Sequence, residues 1–279
     1  MSVAVETLPG SGKGQVALRD RFGFASRDGG VHSARTMLFP DLVIAMDHLS
    51  GGAVRAGDLT EAIVGRNLLG RRSMSARREA AARLQTLYGL DDRFAIFRAL
   101  RRLWDRDEAA RPVLALLVAM ARDGILRSAL PFARALAPGE RFDVSELDAF
   151  LRRRDPGHYS ESTRRSISRN IASSWRQAGV LAGVVRKVRS AVPARPASVS
   201  LALFLGYLDG ARGASLFSTP WMGVFDAEPV ALRAAARDAN AHDLLRMASL
   251  DTVVEISFPG WLNDDERRWL DEQDQAAAG

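Results

Sequence analysis

Arginine is the residue with the most chemical potential in this chain. Its planar guanidinium donates in pairs to phosphate and to base edges. Residues 151–200 hold eleven basic side chains against two acidic ones, a local excess of +9, within a whole-chain net charge of +6. Residues 201–279 hold six basic and thirteen acidic side chains, a local charge of −7. A clustered positive field of this kind is the electrostatic footprint of a polyanion partner. Within it, Ser162, Arg164, Arg165, Ser166, Arg169 and Arg176 lie on one stretch, and Arg186, Lys187 and Arg189 follow on another. A second, smaller group is Arg71, Arg72, Arg77 and Arg78.

Other chemistry is thin. Gly10-Ser-Gly-Lys-Gly14 is like a phosphate loop but has Thr7 where the first glycine belongs and Gly14 where Ser or Thr would hold magnesium, so no nucleotide is expected. His32, His48, His158 and His242 have no ligand spacing, and with no cysteine in the chain neither a metal nor a disulfide nor thiol catalysis is expected. Asp91-Asp92 and Asp264-Asp265-Glu266 sit in loop or tail contexts with no partner for acid–base work. Ser173-Ser174, Ser198 and Ser200 lack a nucleophile motif. The five tryptophans lie on amphipathic segments and read as core or interface residues rather than as base-stacking platforms. The expectation is a non-enzymatic binding protein without cofactor. The absence of cysteine fits a reducing cytoplasm. Val113–Ala121, the longest apolar run, is too short to span a bilayer, and no signal peptide is evident, so no membrane partner is expected.

The elements that must position these arginines are mostly helical. Residues 1–30 lack periodicity and read as a flexible tail. From 31 to 138, apolar residues recur at three-to-four spacing: Met37 to Leu49 ahead of Gly51-Gly52, Asp58 to Leu69, Ser75–Leu87 capped by Ser73, Phe94 to Trp104, and Val113–Arg122 after Pro112. This reads as an N-terminal helical bundle. From 139 to 260 the order changes. Asp143-Val-Ser-Glu146 is a capping box opening a short helix, and Asp155-Pro-Gly157 is a turn. Ser160 caps a helix ending near Ala178, with Gly179 as its stop. Its core face is Thr163, Ile167, Ile171, Ser174 and Ala178, which turns Arg165, Arg169 and Arg176 outward. Gly183–Arg189 alternates apolar and basic residues as a half-buried strand would. Helix, turn, basic helix, basic hairpin is the order of a winged helix-turn-helix, in which the second helix enters the major groove and the wing lies over phosphates. Helices are expected again at 201–208, 230–239 and 241–247, and Thr252–Phe258 reads as a strand able to pair with the wing. Residues 261–279 read as an acidic tail, a frayed helix or loose end from about Asn263.

Three stretches carry a resemblance. They are Asn67-Leu-Leu-Gly-Arg-Arg-Ser73 with the helix behind it, the apolar Pro112–Phe132 pair of helices, and Ser160-x-x-Thr163 through Trp175-Arg-Gln-Ala-Gly-Val-Leu181. Over about residues 35–260 the chain resembles the BrxA family of BREX bacteriophage-defence systems. The resemblance implies a mainly α protein: a helical domain similar to the antitermination factor NusB joined to a winged helix-turn-helix with a small β-wing. It implies duplex DNA and other phage-defence proteins as partners. Its NusB-like part brings in RNA as a variant ligand. A protein-interaction adaptor, its basic face masked in cis by the acidic tail or met by an acidic partner, is the alternative.

Overall fold

Helical spacing of apolar residues runs through most of the chain, and the fold is accordingly mainly α, with two small β-hairpins. The structure is a computed structural model and describes residues 21–24, 31–49, 52–250 and 253–278. The Gly10–Gly14 run, Gly51 and Thr252 lie outside those residues.

The first half comprises α1 (Phe39–His48), α2 (Ala56–Thr60, continued by a π-helical turn over Glu61–Gly65), α3 (Met74–Tyr88), α4 (Ala95–Trp104), α5 (Arg111–Arg122), α6 (Gly124–Ser128) and α7 (Leu130–Ala135). Their ends follow local chemistry. Ser73 Oγ accepts the Ala76 N–H at the start of α3, and Gly89 ends that helix in the left-handed region at φ 59°. The π-helical turn and the end of regular structure at Gly65 shorten the helix expected to reach Leu69. Every residue from Val113 to Ala121 is buried, so α5 lies at the centre, with α3, α4 and the later α10 packed around it.

The second half comprises α8 (Val144–Arg154), α9 (Glu161–Gln177), β1 (Leu181–Ala182), β2 (Val188–Arg189), α10 (Pro196–Leu208), α11 (Pro229–Ala241), β3 (Arg246–Leu250), β4 (Val253–Ser257) and α12 (Asp264–Ala278). In α10 only Pro196 and Tyr207 are not buried, and the helix packs on α4 and α5. The apolar cluster therefore runs without a break across residue 139, from Phe22 to Leu270, and both halves share it.

Four further segments differ from the sequence expectation. Phe22 and Phe24, within the expected tail, are buried; Phe22 meets Trp269 edge-on at 5.8 Å and Phe24 meets Trp221 at 5.9 Å. Two aromatics on a polar background give no periodicity, yet each finds a ring in the C-terminal third. Arg246–Leu250 is a strand rather than the end of a helix, because α11 stops at Ala241 and Met247 N donates to Asn240 Oδ1 (3.0 Å). β4 pairs with β3, Met247 opposite Ile256, and not with the β1–β2 hairpin. The acidic C-terminus is a docked helix: Glu266, 3% exposed, bonds Arg98, and Asp274 accepts a bidentate contact from Arg212 (2.9 Å each). These anchors lie on α4 and just after α10.

Candidate nucleic-acid interface

Asp143 opens α8 by accepting the Ser145 N–H and hydroxyl (2.8 and 2.7 Å). Those two bonds hold its carboxyl below the usual range. Ser160 opens α9 by accepting the Thr163 N–H (3.2 Å), and Gly179 closes it at φ 78°. Leu147 and Leu151 of α8 and Ile167, Ile171 and Trp175 of α9 are buried, the two helices pack together, and Phe132 lies parallel to the Trp175 ring at 6.5 Å. β1 and β2 then pair antiparallel, Leu181 opposite Arg189. On the other side of β2, Arg141 bridges Val188, and the Phe142 N–H donates to Lys187 O (2.9 Å). Residues 139–142 thus hydrogen-bond along the free edge of the two-stranded β1–β2 hairpin, beside β2.

The nine residues expected here on the basic helix and wing divide by burial. Ser162, Arg165, Arg169 and Arg176 are exposed on the outer face of α9. Arg165 pairs with Glu161 one turn earlier, an exposed i,i+4 pair of small energetic weight. Arg169 donates to Ser166 Oγ (3.2 Å), and the half-buried Ser166 donates back to Ser162 O (3.1 Å). Arg186 is exposed; Lys187 is half-buried and its Nζ folds onto Val184 O (3.1 Å). Arg164 is not a free cation: 13% exposed, its Nε donates to Asp148 Oδ1 (3.0 Å) and ties α9 to α8.

Arg189 is a clear correction. Its side chain is 3% exposed. It donates to Ala133 O (3.1 Å), Val180 O (3.3 Å) and Ser190 O, and to both oxygens of Asp226 (3.0 and 2.8 Å). Alternation along Gly183–Arg189 placed it outward, but only Val188–Arg189 is strand, and the hairpin root turns Arg189 into the fold. It is a structural hub and reaches no external ligand.

The second arginine group is also partly engaged. Arg71 pairs with Asp41, and Arg77 is half-buried with its guanidinium donating to Arg71 O and Val64 O (3.3 and 3.4 Å). Arg72 and Arg78 are exposed, with no ion-pair partner among the described residues. Conversely, the structure adds Arg141, exposed, bridged to Val188 of β2 and sharing a shallow cleft with Val185 and Arg186. It precedes the Asp143 helix cap and carries no periodic signal, so only its bridge to Val188 reveals it.

The inner face of α9 carries a different chemistry. His32 Nδ1 lies 2.9 Å from Asp123 Oδ2, and His32 Nε2 lies 2.8 Å from Ser174 Oγ. Ser174 Oγ also accepts the Met37 N–H (2.8 Å) and donates to Asn170 O (2.9 Å). Asn170 donates to His32 O (3.0 Å), and Gln177 Oε1 accepts the Phe39 N–H (2.9 Å). Burial alone would raise the Asp123 carboxyl, but its hydrogen bonds to His32, the His32 charge and the Leu126 N–H together hold it below the usual range. The order nucleophile, base, carboxylate has the geometry of a hydrolase triad. All three side chains are fully buried, however, and the serine is already committed to the backbone. The constellation is a clamp that fastens residues 32–39 to the back of α9. Sequence reading missed it because its members stand 91 and 142 residues apart.

Among the described residues no group of three or more His, Asp or Glu side chains is placed to hold a metal ion, and no helix is long and apolar enough to cross a membrane. No protein-family model and no curated protein matches the chain. A solved structure described as the SspB crystal structure is similar over 92% of this chain and 90% of its own, at 14% identity and a TM-score of 0.48.

Proposed function

We propose that the chain is a non-enzymatic duplex-DNA-binding protein whose residues 139–189 act as a winged helix-turn-helix. The observation that carries this reading is the order and bonding of the elements: an extended segment at 139–142, α8, α9, then the β1–β2 hairpin, whose second strand hydrogen-bonds back to that segment. In that arrangement α9 is the helix for the major groove and the hairpin the wing over phosphates. The exposed charge agrees, with Arg165, Arg169 and Arg176 on the outer face of α9 and Arg141 and Arg186 at the wing. Helices α1–α7, the part likened to NusB, serve as the scaffold to which the clamp fastens α9. On the BrxA-like reading of the sequence, this activity belongs to a cytoplasmic assembly with other phage-defence proteins.

The test is fluorescence anisotropy with a labelled duplex across a salt series. About 4–6 phosphate contacts give a slope of log K against log salt of roughly −3.6 to −5.4. Binding that ignores salt, or no binding, refutes the reading. Duplex RNA and single-stranded DNA in the same assay are expected to bind more weakly.

A further inference from the structure

We propose that the wing tip, Val184–Val185, is an apolar contact for the minor groove of duplex DNA and favours A·T pairs beneath it; this rests on the duplex-DNA reading above. Val185 is 92% exposed and Val184 73%. A turn that only reverses the chain normally carries polar residues or glycine. Here Gly183 alone does that work. It sits at φ 84°, and a Cβ on it would collide with the Arg186 carbonyl. The Lys187 ammonium on Val184 O closes the turn further. The two valines are therefore held outward on a tightly folded loop.

Their surroundings select the partner. Arg186 follows directly and is exposed, and Arg141 shares the adjoining cleft. An apolar tip between cations matches a groove about 6 Å wide, with sugars on its walls and a phosphate row along each rim. Phosphate contact alone requires no valines, and an apolar protein surface requires no flanking arginines. A·T tracts narrow the minor groove and deepen its negative potential, which draws arginine in, while G·C pairs place an amino group on its floor.

Inosine separates the grooves. An I·C pair shows the major-groove edge of G·C and a minor-groove edge without the amino group. The full chain is titrated with one duplex sequence built with G·C pairs and again with I·C pairs, followed by the Val184→Ser/Val185→Ser variant, its folding checked by thermal melting. The wild-type protein should bind the I·C duplex about tenfold more tightly, a ratio worth ~1.4 kcal/mol. The valine variant should lose most of that preference and keep the salt slope, because no charge has been removed. Equal wild-type affinity for both duplexes, or a preference intact in the variant, overturns the minor-groove contact and leaves DNA binding standing. Failure to bind any duplex overturns both.

Discussion

Replacing Arg189 separates a phosphate contact from a structural hub. The side chain is 3% exposed and donates to three carbonyls and both oxygens of Asp226. Arg189→Ala strands those acceptors inside the protein and leaves Asp226 without its partner cation. Removing one member of a buried ion pair costs about 3–5 kcal/mol. The Asp226 side chain retains 23% exposure, so the lower end, about 3 kcal/mol, applies. For a chain of this size that is a fall in Tm of roughly 6–12 °C. Arg189→Lys keeps the charge but loses the two-pronged contact and should fall between. Arg186→Ala should do the reverse, leaving Tm within about 2 °C and weakening duplex binding. The assay is thermal unfolding beside anisotropy titration, run well below every Tm. A double-mutant cycle with Asp226→Ala should show strong non-additivity in stability. The reasoning fails if Arg189→Ala leaves Tm unchanged and weakens DNA binding as Arg186→Ala does.

Arg165→Glu with Arg169→Glu should cut duplex affinity by at least about a hundredfold at low salt while changing stability by no more than ~1 kcal/mol, since both side chains are exposed; anisotropy and melting check the two halves. Ser160→Ala removes the acceptor for the Thr163 N–H and should cost about 1 kcal/mol, read as a lower urea midpoint at unchanged slope. Asp123 titrates lower in the fold than in the unfolded chain, so it contributes stability above the ordinary carboxylate range and loses it as pH falls through its lowered folded-state value. Asp123→Asn should therefore lower Tm at neutral pH and flatten the acid side of the Tm–pH curve; an acid limb as steep as wild type would show that the clamp carries no such linkage. Of the second arginine group, Arg72→Ala with Arg78→Ala should act only on DNA footprint length, whereas Arg71→Ala and Arg77→Ala should also lower Tm, because only the latter two hold other parts of the fold.

Local chemistry was legible in the sequence. Ser73, Asp143 and Ser160 start helices and Gly179 stops one because each acts within three residues of itself. The outward turn of Arg165 and Arg169 was legible for the same reason: Ile167 and Ile171 fix the inward face of a regular helix. Arg164 and Arg189 were not, because a count of charges treats every arginine as solvated and their carboxylates arrive from 16 and 37 residues away. The tip of the hairpin alternates like a strand but folds as a turn, since Gly183 enters the left-handed region directly after the two paired residues of β1. The docking of the C-terminal helix was hidden by composition: among its described residues the buried stripe is Glu266 and Leu270, too narrow to stand out among acids.

The clamp behind α9 also sets an order of events during synthesis. His32 leaves the ribosome long before Ser174, its partner 142 residues downstream. At ~5–20 residues per second that interval is about 7–28 s. For that time the imidazole, and the backbone N–H groups of Met37 and Phe39 that also await α9, must remain hydrated. The first half can condense around α5, but its N-terminal segment acquires its final seat only when the arginine-bearing helix arrives. Contacts of such long range slow folding, and they make α9 the element that completes the scaffold's own packing.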